Sequence, residues 1–224
     1  MKQRIYILLS VLSGAFVMSM VDGVWQPSYL VKSLIKILIF SSLPLIYFLS
    51  SRKRREEARA LFVPSKKSLL YSALLGILVF GVIMGAYALL KNQIDFSSIA
   101  SNLTSGAGVT AENFIWVAIY ISIVNSLLEE FFFRGFAFAA LRNAWSRPMA
   151  YLFSATTFSL YHLGMTAGWF HPGIWLLSLV GLFLGGCIFN YLNEKSNSLY
   201  ASWLTHLCAN LAINTIGCIL FGIL

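Results

Sequence analysis

Two adjacent glutamates, Glu129 and Glu130, lie inside the apolar run Asn113-FIWVAIYISIVNSLLEEFFFRGFAFAAL-Arg142. At 1.5 Å per residue such a helix crosses a hydrocarbon layer of about 30 Å. A charge at that depth costs at least about 2.5 kcal/mol, so neither carboxylate belongs against lipid and both must face protein or a water-filled cavity. Arg134 follows Glu130 by four residues, which puts the two on one helix face as a pair. Glu129 points about 100° away, with Asn125 one turn below it and Ser122 and Ser126 below Glu130. The spacing predicts a division of labour: Glu130 neutralised by Arg134, and Glu129 left free to act. A structural ion pair is the plain alternative for Glu130 and Arg134, but one arginine does not balance two carboxylates.

Two further apolar stretches carry histidine. His162 ends Phe158-SLYHLG; His206 opens Thr205-HLCANLAIN, with Asn210 four residues on and Asn214 a turn beyond. Alone, His162 reads as a hydrogen-bonded core residue, and the His206–Asn210–Asn214 stripe as polar glue between helices. Counted from the basic ends of their helices, Glu129, His162 and His206 lie roughly 18, 21 and 12 Å deep, so they can meet. Glutamate, two histidines and asparagine are the parts for activating water and stabilising an oxyanion. There is no H-E-x-x-H and no G-x-S-x-G, and the only aspartates, Asp22 and Asp95, fall at or outside membrane edges. A glutamate-based hydrolase without a cofactor is expected. The alternative is a metal held by His162, His206 and a glutamate, in which Asn210 fits less well as a ligand.

The elements that must position these residues are membrane helices. The chain is 58% hydrophobic and only 11% charged, where a soluble globular chain carries roughly 25%. Seven apolar segments, near 5–22, 29–50, 68–91, 113–140, 149–165, 173–192 and 198–222, predict an all-α, polytopic bundle forming one integral membrane domain over 1–224. The 149–165 segment is the weakest, being short and holding Ser154, Thr156, Thr157, Ser159 and His162. The net charge of +8 does not point to nucleic acid, because the loop cations gather on one side. Lys2, Arg4, the run from Arg52 to Lys67, Arg142, Arg147 and Lys195 share that side, and Lys91 stands opposite. By the positive-inside rule the N-terminus is cytoplasmic. The basic run itself reads as a solvated topology signal. The first apolar run lacks an A-x-A-like cleavage site and is expected to stay as a helix. Cys187, Cys208 and Cys218 lie in spans and read as small buried residues. The polar stretch 92–113 holds FSSIASNL, which suggests a short amphipathic surface helix. The first three spans read as scaffold or substrate-facing wall, the later ones as carriers of the chemistry.

The three pieces resemble the CPBP family, the CAAX prenyl protease and bacteriocin-processing (Abi) group, whose pattern is E-E-x-x-x-R, F-x-x-x-H and H-x-x-x-N. Here they read Glu129-Glu130-Phe-Phe-Phe-Arg134, Phe158-Ser-Leu-Tyr-His162 and His206-Leu-Cys-Ala-Asn210, within a core of about 113–215. The resemblance implies an all-helical intramembrane glutamic endopeptidase. It implies that Glu129 and His162 activate water, that His206 and Asn210 stabilise the oxyanion, and that Glu130 and Arg134 support them. It implies a membrane-associated substrate in the bilayer: a prenylated C-terminus, a leader peptide or a sorting tail. A multi-pass protein of a bacterial plasma membrane is expected, with a eukaryotic endomembrane as the alternative. Two rivals of other classes remain open: a proton-coupled transporter using the glutamate and histidines as a relay, and a non-proteolytic membrane regulator or immunity protein.

Overall fold

A computed structural model describes residues 2–64 and 66–224. All regular structure among them is helical. In chain order the elements are α1 (Lys2–Trp25), α2 (Tyr29–Leu49), α3 (Arg52–Leu61), α4 (Lys66–Leu90), α5 (Ser97–Ala107), α6 (Phe114–Ala144), α7 (Arg147–Tyr161), α8 (Leu163–Thr166), α9 (Pro172–Ser196) and α10 (Leu199–Leu220). Six of them are long and apolar enough to cross a membrane: α1, α2, α4, α6, α9 and α10. The multi-pass helical architecture read from hydropathy is therefore present, with boundaries within a few residues of those expected.

The expected fifth segment differs in kind. As α7 it has 15 residues, about 22 Å of helix. It still runs between the two faces of the bundle. At its start, Arg147 Nε and Nη2 each reach Glu194 of α9 at 2.8 Å. Beyond its other end, the carbonyls of Gly168 and Trp169 accept from Asn102 and Ser98 of α5, at 3.1 and 2.5 Å. The polar residues that weakened its hydropathy are satisfied by protein instead of lipid. Ser154 donates to the Phe133 carbonyl at 2.8 Å and Ser159 to the Leu179 carbonyl at 2.7 Å. Met149, Leu152 and Leu160 stay exposed along its outer face, so α7 buries its polar side and keeps an apolar stripe outward.

Two segments outside the spans are also helical. The basic run forms α3, whose N-cap Ser51 accepts from the Arg54 amide at 3.4 Å. The FSSIASNL stretch lies in α5, as its pattern suggested, and ends at Gly108 with φ +68, the left-handed geometry glycine accepts at a helix C-terminus.

The core is built around the aromatic residues beside the acid pair. Phe132 stacks on Phe40 of α2 at 4.1 Å, Phe133 meets Phe158 of α7 edge-on at 5.3 Å, and Phe136 lies 5.4 Å from Tyr47. All three are fully buried. These contacts fix the rotation of α6 and turn Glu129 and Glu130 inward. On the far side α4 packs closely on α10, where a Cβ at Gly76 would come within 2.7 Å of Cys208 Sγ. The rest of α4 presents Leu70, Leu74, Ile77, Leu78 and Val82 outward, the surface expected against lipid tails.

Candidate active site

The helix bearing the acid pair is not uniformly wound. Its segments Ile121–Asn125 and Glu130–Ala140 take π-type i→i+5 geometry, a widened winding that recurs at functional sites. α10 lies along this stretch. Trp203 Nε1 donates to Ser126 Oγ at 3.0 Å, Asn210 to the Ile121 carbonyl at 3.2 Å, and Asn214 to the Ala118 carbonyl and Ser122 Oγ at 3.1 and 3.0 Å. The polar stripe of α10 is thus inter-helix glue along most of its length, and His206 is the member that reaches the acid pair.

Glu129 is buried, and its two oxygens have different surroundings. Oε1 accepts from Tyr161 Oη at 2.8 Å and from Asn125 Nδ2 at 2.9 Å, and Lys36 Nζ lies 3.5 Å away. Oε2 faces His206 Nε2 at 3.7 Å. Lys36 in turn donates to Tyr161 Oη at 2.6 Å and Asn125 Oδ1 at 2.8 Å, closing a ring of polar contacts behind Oε1.

Glu130 is fully buried and engages two groups through Oε1. His206 Nδ1 lies at 2.9 Å and Arg134 Nη1 at 3.5 Å. A carboxylate only accepts, so His206 carries its proton on Nδ1, and its Nε2 is turned to Glu129. The Arg134 guanidinium sits over the rings of Phe158 at 4.1 Å and Phe189 at 4.9 Å. These aromatic faces are cation-binding surfaces that need no hydrogen bond. Phe189 also stacks on the His206 ring at 4.9 Å and 20°. His162 donates from Nδ1 to the Phe158 carbonyl at 2.7 Å, which leaves Nε2 as the acceptor of the neutral ring.

The structure therefore brings Glu129, Glu130, Arg134 and His206 into direct contact, and places buried His162 beside them, its ring 4.4 Å from that of Tyr161. Asn210 is on the same helix as His206, but its amide is directed to the backbone of α6 and not to either glutamate. The expectation that Glu129 would stand free is corrected. A second cation, Lys36, balances the second carboxylate, so the first three spans are more than scaffold or substrate-facing wall at α2. Lys36 and Tyr161 were both legible in principle. Lys36 is one of two lysines, with Lys32, in the apolar run of α2, which has no acidic residue of its own, and Tyr161 adjoins His162. For the metal alternative, no group of three or more His, Cys, Asp or Glu side chains among the described residues has the arrangement of a metal site.

A helical membrane protein with a buried acid pair, two histidines and an arginine defines the class. Residues 111–212, a little under half of the chain, match the family model for type II CAAX prenyl endopeptidase Rce1-like, a similarity consistent with the CPBP/CAAX protease family. The match includes Glu129, Glu130, Arg134, His162, His206 and Asn210, and leaves out α1 to α5, where Lys36 resides. No curated protein and no solved structure matches the chain.

Proposed function

We propose that this protein is an intramembrane glutamic endopeptidase that hydrolyses a peptide bond in a membrane-associated substrate, with a prenylated C-terminus as the first choice. The family implies a protease embedded in a bilayer. The observation that carries the glutamic mechanism is the asymmetry of Glu129, with Oε1 held by Tyr161 and Asn125 and Oε2 turned toward His206.

In this reading Glu129 Oε2 takes a proton from water, assisted by the free Nε2 of His162, and the resulting hydroxide attacks the scissile carbonyl carbon. The carbonyl oxygen becomes an oxyanion beside the His206 ring, which the Glu130 carboxylate holds in place at Nδ1. Asn210 contributes its second amide hydrogen, the first being engaged by Ile121. Glu129 then passes its proton to the leaving nitrogen as the C–N bond breaks, and returns to the carboxylate. Arg134 holds Glu130 in place. No step passes through a metal. The face bearing α3 and its arginines is placed in the cytoplasm by the positive-inside rule, and substrate approaches from that half.

The test is proteolysis by the purified protein in lipid vesicles, offered prenylated peptides, leader peptides and membrane tails. Cleavage by wild type, unchanged by chelator and lost in a folded Glu129→Gln protein, is the expected result. Cleavage that persists in Glu129→Gln contradicts the assignment. Loss with chelator would move the histidines into metal-ligand roles. A proton-driven flux with no cleavage of any peptide would favour the relay reading.

A further inference from the structure

Lys36 lies outside the segment that matches the family and outside every motif described above, yet it is the cation nearest the reactive carboxylate. Its Nζ makes two short hydrogen bonds, to Tyr161 Oη at 2.6 Å and Asn125 Oδ1 at 2.8 Å, and stands 3.5 Å from Glu129 Oε1. Only 12% of its side chain is exposed, although it sits in the middle of a membrane-spanning helix. Burying an ammonium there is unfavourable unless it is paired and hydrogen-bonded, and the pairing found is with Glu129 of another helix.

We propose that Lys36 is a positioning residue for Glu129: it fixes the carboxylate as an anion with Oε1 turned away from the reacting water, so that Oε2 alone is presented. The inference rests on the reading of Glu129 as the base. The groups that face Glu129 are Lys36 from α2, Tyr161 from α7 and His162 just beyond it, His206 from α10, and Asn125 from its own helix. Among them Lys36 is the only side chain with a permanent positive charge. Arg134 is committed to Glu130 and to aromatic faces. His206 already has Glu130 on its other nitrogen. Lys36 also organises the neutral donors. Both Tyr161 Oη and the Asn125 amide give their hydrogens to Glu129 Oε1, and both are oriented to do so because their acceptor oxygens are occupied by the Lys36 ammonium. A chain carrying the three motifs on α6, α7 and α10 without this cation would hold a carboxylate of different charge and aim.

The test uses the full-length protein in lipid vesicles with Lys36→Met, which keeps much of the side chain's length and removes the charge, and Lys36→Arg, which keeps the charge. Infrared difference spectra against wild type at pH 7 read the carboxyl groups directly and do not depend on knowing the substrate. Lys36→Met should gain a protonated-carboxyl band that disappears in Lys36→Met/Glu129→Gln, and Lys36→Arg should not gain it. On a cleaved peptide, kcat of Lys36→Met should fall on the order of 10²-fold with KM nearly unchanged, the loss expected when a general base is disabled. Lys36→Arg should recover part of that loss. A Lys36→Met protein that folds and shows no new carboxyl band overturns the proposal, whatever its activity. If Lys36→Met fails to fold, a protonated Glu129 in Lys36→Arg overturns it and an ionised one supports it. If Glu129→Gln still cleaves, the function proposed above falls, while the infrared bands continue to decide the role of Lys36.

Discussion

The protein holds two glutamates that look alike in outline and differ in what they leave over. Glu194, near the end of α9, and Glu129, in the middle of α6, each collect basic partners and a tyrosine from other helices. Around Glu194 both oxygens are engaged: Oε1 by Arg147 at 2.8 Å and Arg142 at 3.3 Å, Oε2 by Arg147 and Tyr151, each at 2.8 Å. Glu129 has its donors on one oxygen, and the other looks at a histidine. The surroundings also differ. The Arg147 side chain is 61% exposed, whereas Glu129 is 2% exposed. The first cluster is a clamp joining α7 to α9 at the bundle's end, with water screening its charges. The second is a buried carboxylate with its donors on one oxygen and a histidine facing the other. The two clusters differ in how evenly the two oxygens are used and in burial, and the proposed chemistry rests on that difference.

This contrast is broken most severely by Glu129→Gln, which keeps shape and removes the base. Cleavage should fall by up to about 10⁴-fold, measured on a single substrate in vesicles. Next comes Arg134→Met. It leaves the Glu130 carboxylate buried without its cation, so stability should drop by roughly 3–5 kcal/mol in a detergent or urea unfolding series, and Glu130→Gln should partly rescue the double variant. Asn210→Ala should lower kcat by about 10²-fold if its second amide hydrogen meets the oxyanion. A loss confined to melting temperature would instead leave it as the α6–α10 tie seen through Ile121. The smallest effect is expected from Glu194→Gln, which should shift melting slightly and leave cleavage at the wild-type rate.

Much of this was open to reading in the sequence, for physical reasons. A long apolar helix has a composition that few other structures share, so α1, α2, α4, α6, α9 and α10 were legible from hydropathy. The pairing of Glu130 with Arg134 follows from one turn of one helix, as does that of Asn125 with Glu129. Contacts between helices are different. That Lys36 reaches Glu129 depends on the rotation of α2 against α6, which the Phe40–Phe132 stack decides and hydropathy does not. The π-type winding of α6 has no local sequence signal and changes which carbonyls meet Asn210 and Asn214. The weak hydropathy of α7 comes from serines such as Ser154 and Ser159 that bond to neighbouring helices, a pairing that hydropathy does not register.

The central claim is that Glu129 activates water and that Glu194, with both oxygens engaged, does not. The most direct measurement is single-turnover cleavage of one prenylated peptide by Glu129→Gln and Glu194→Gln, side by side in vesicles of the same lipid, with folding checked by thermal unfolding. The account predicts cleavage at the wild-type rate by Glu194→Gln and none detectable by a folded Glu129→Gln. Equal rates for the two variants would contradict it.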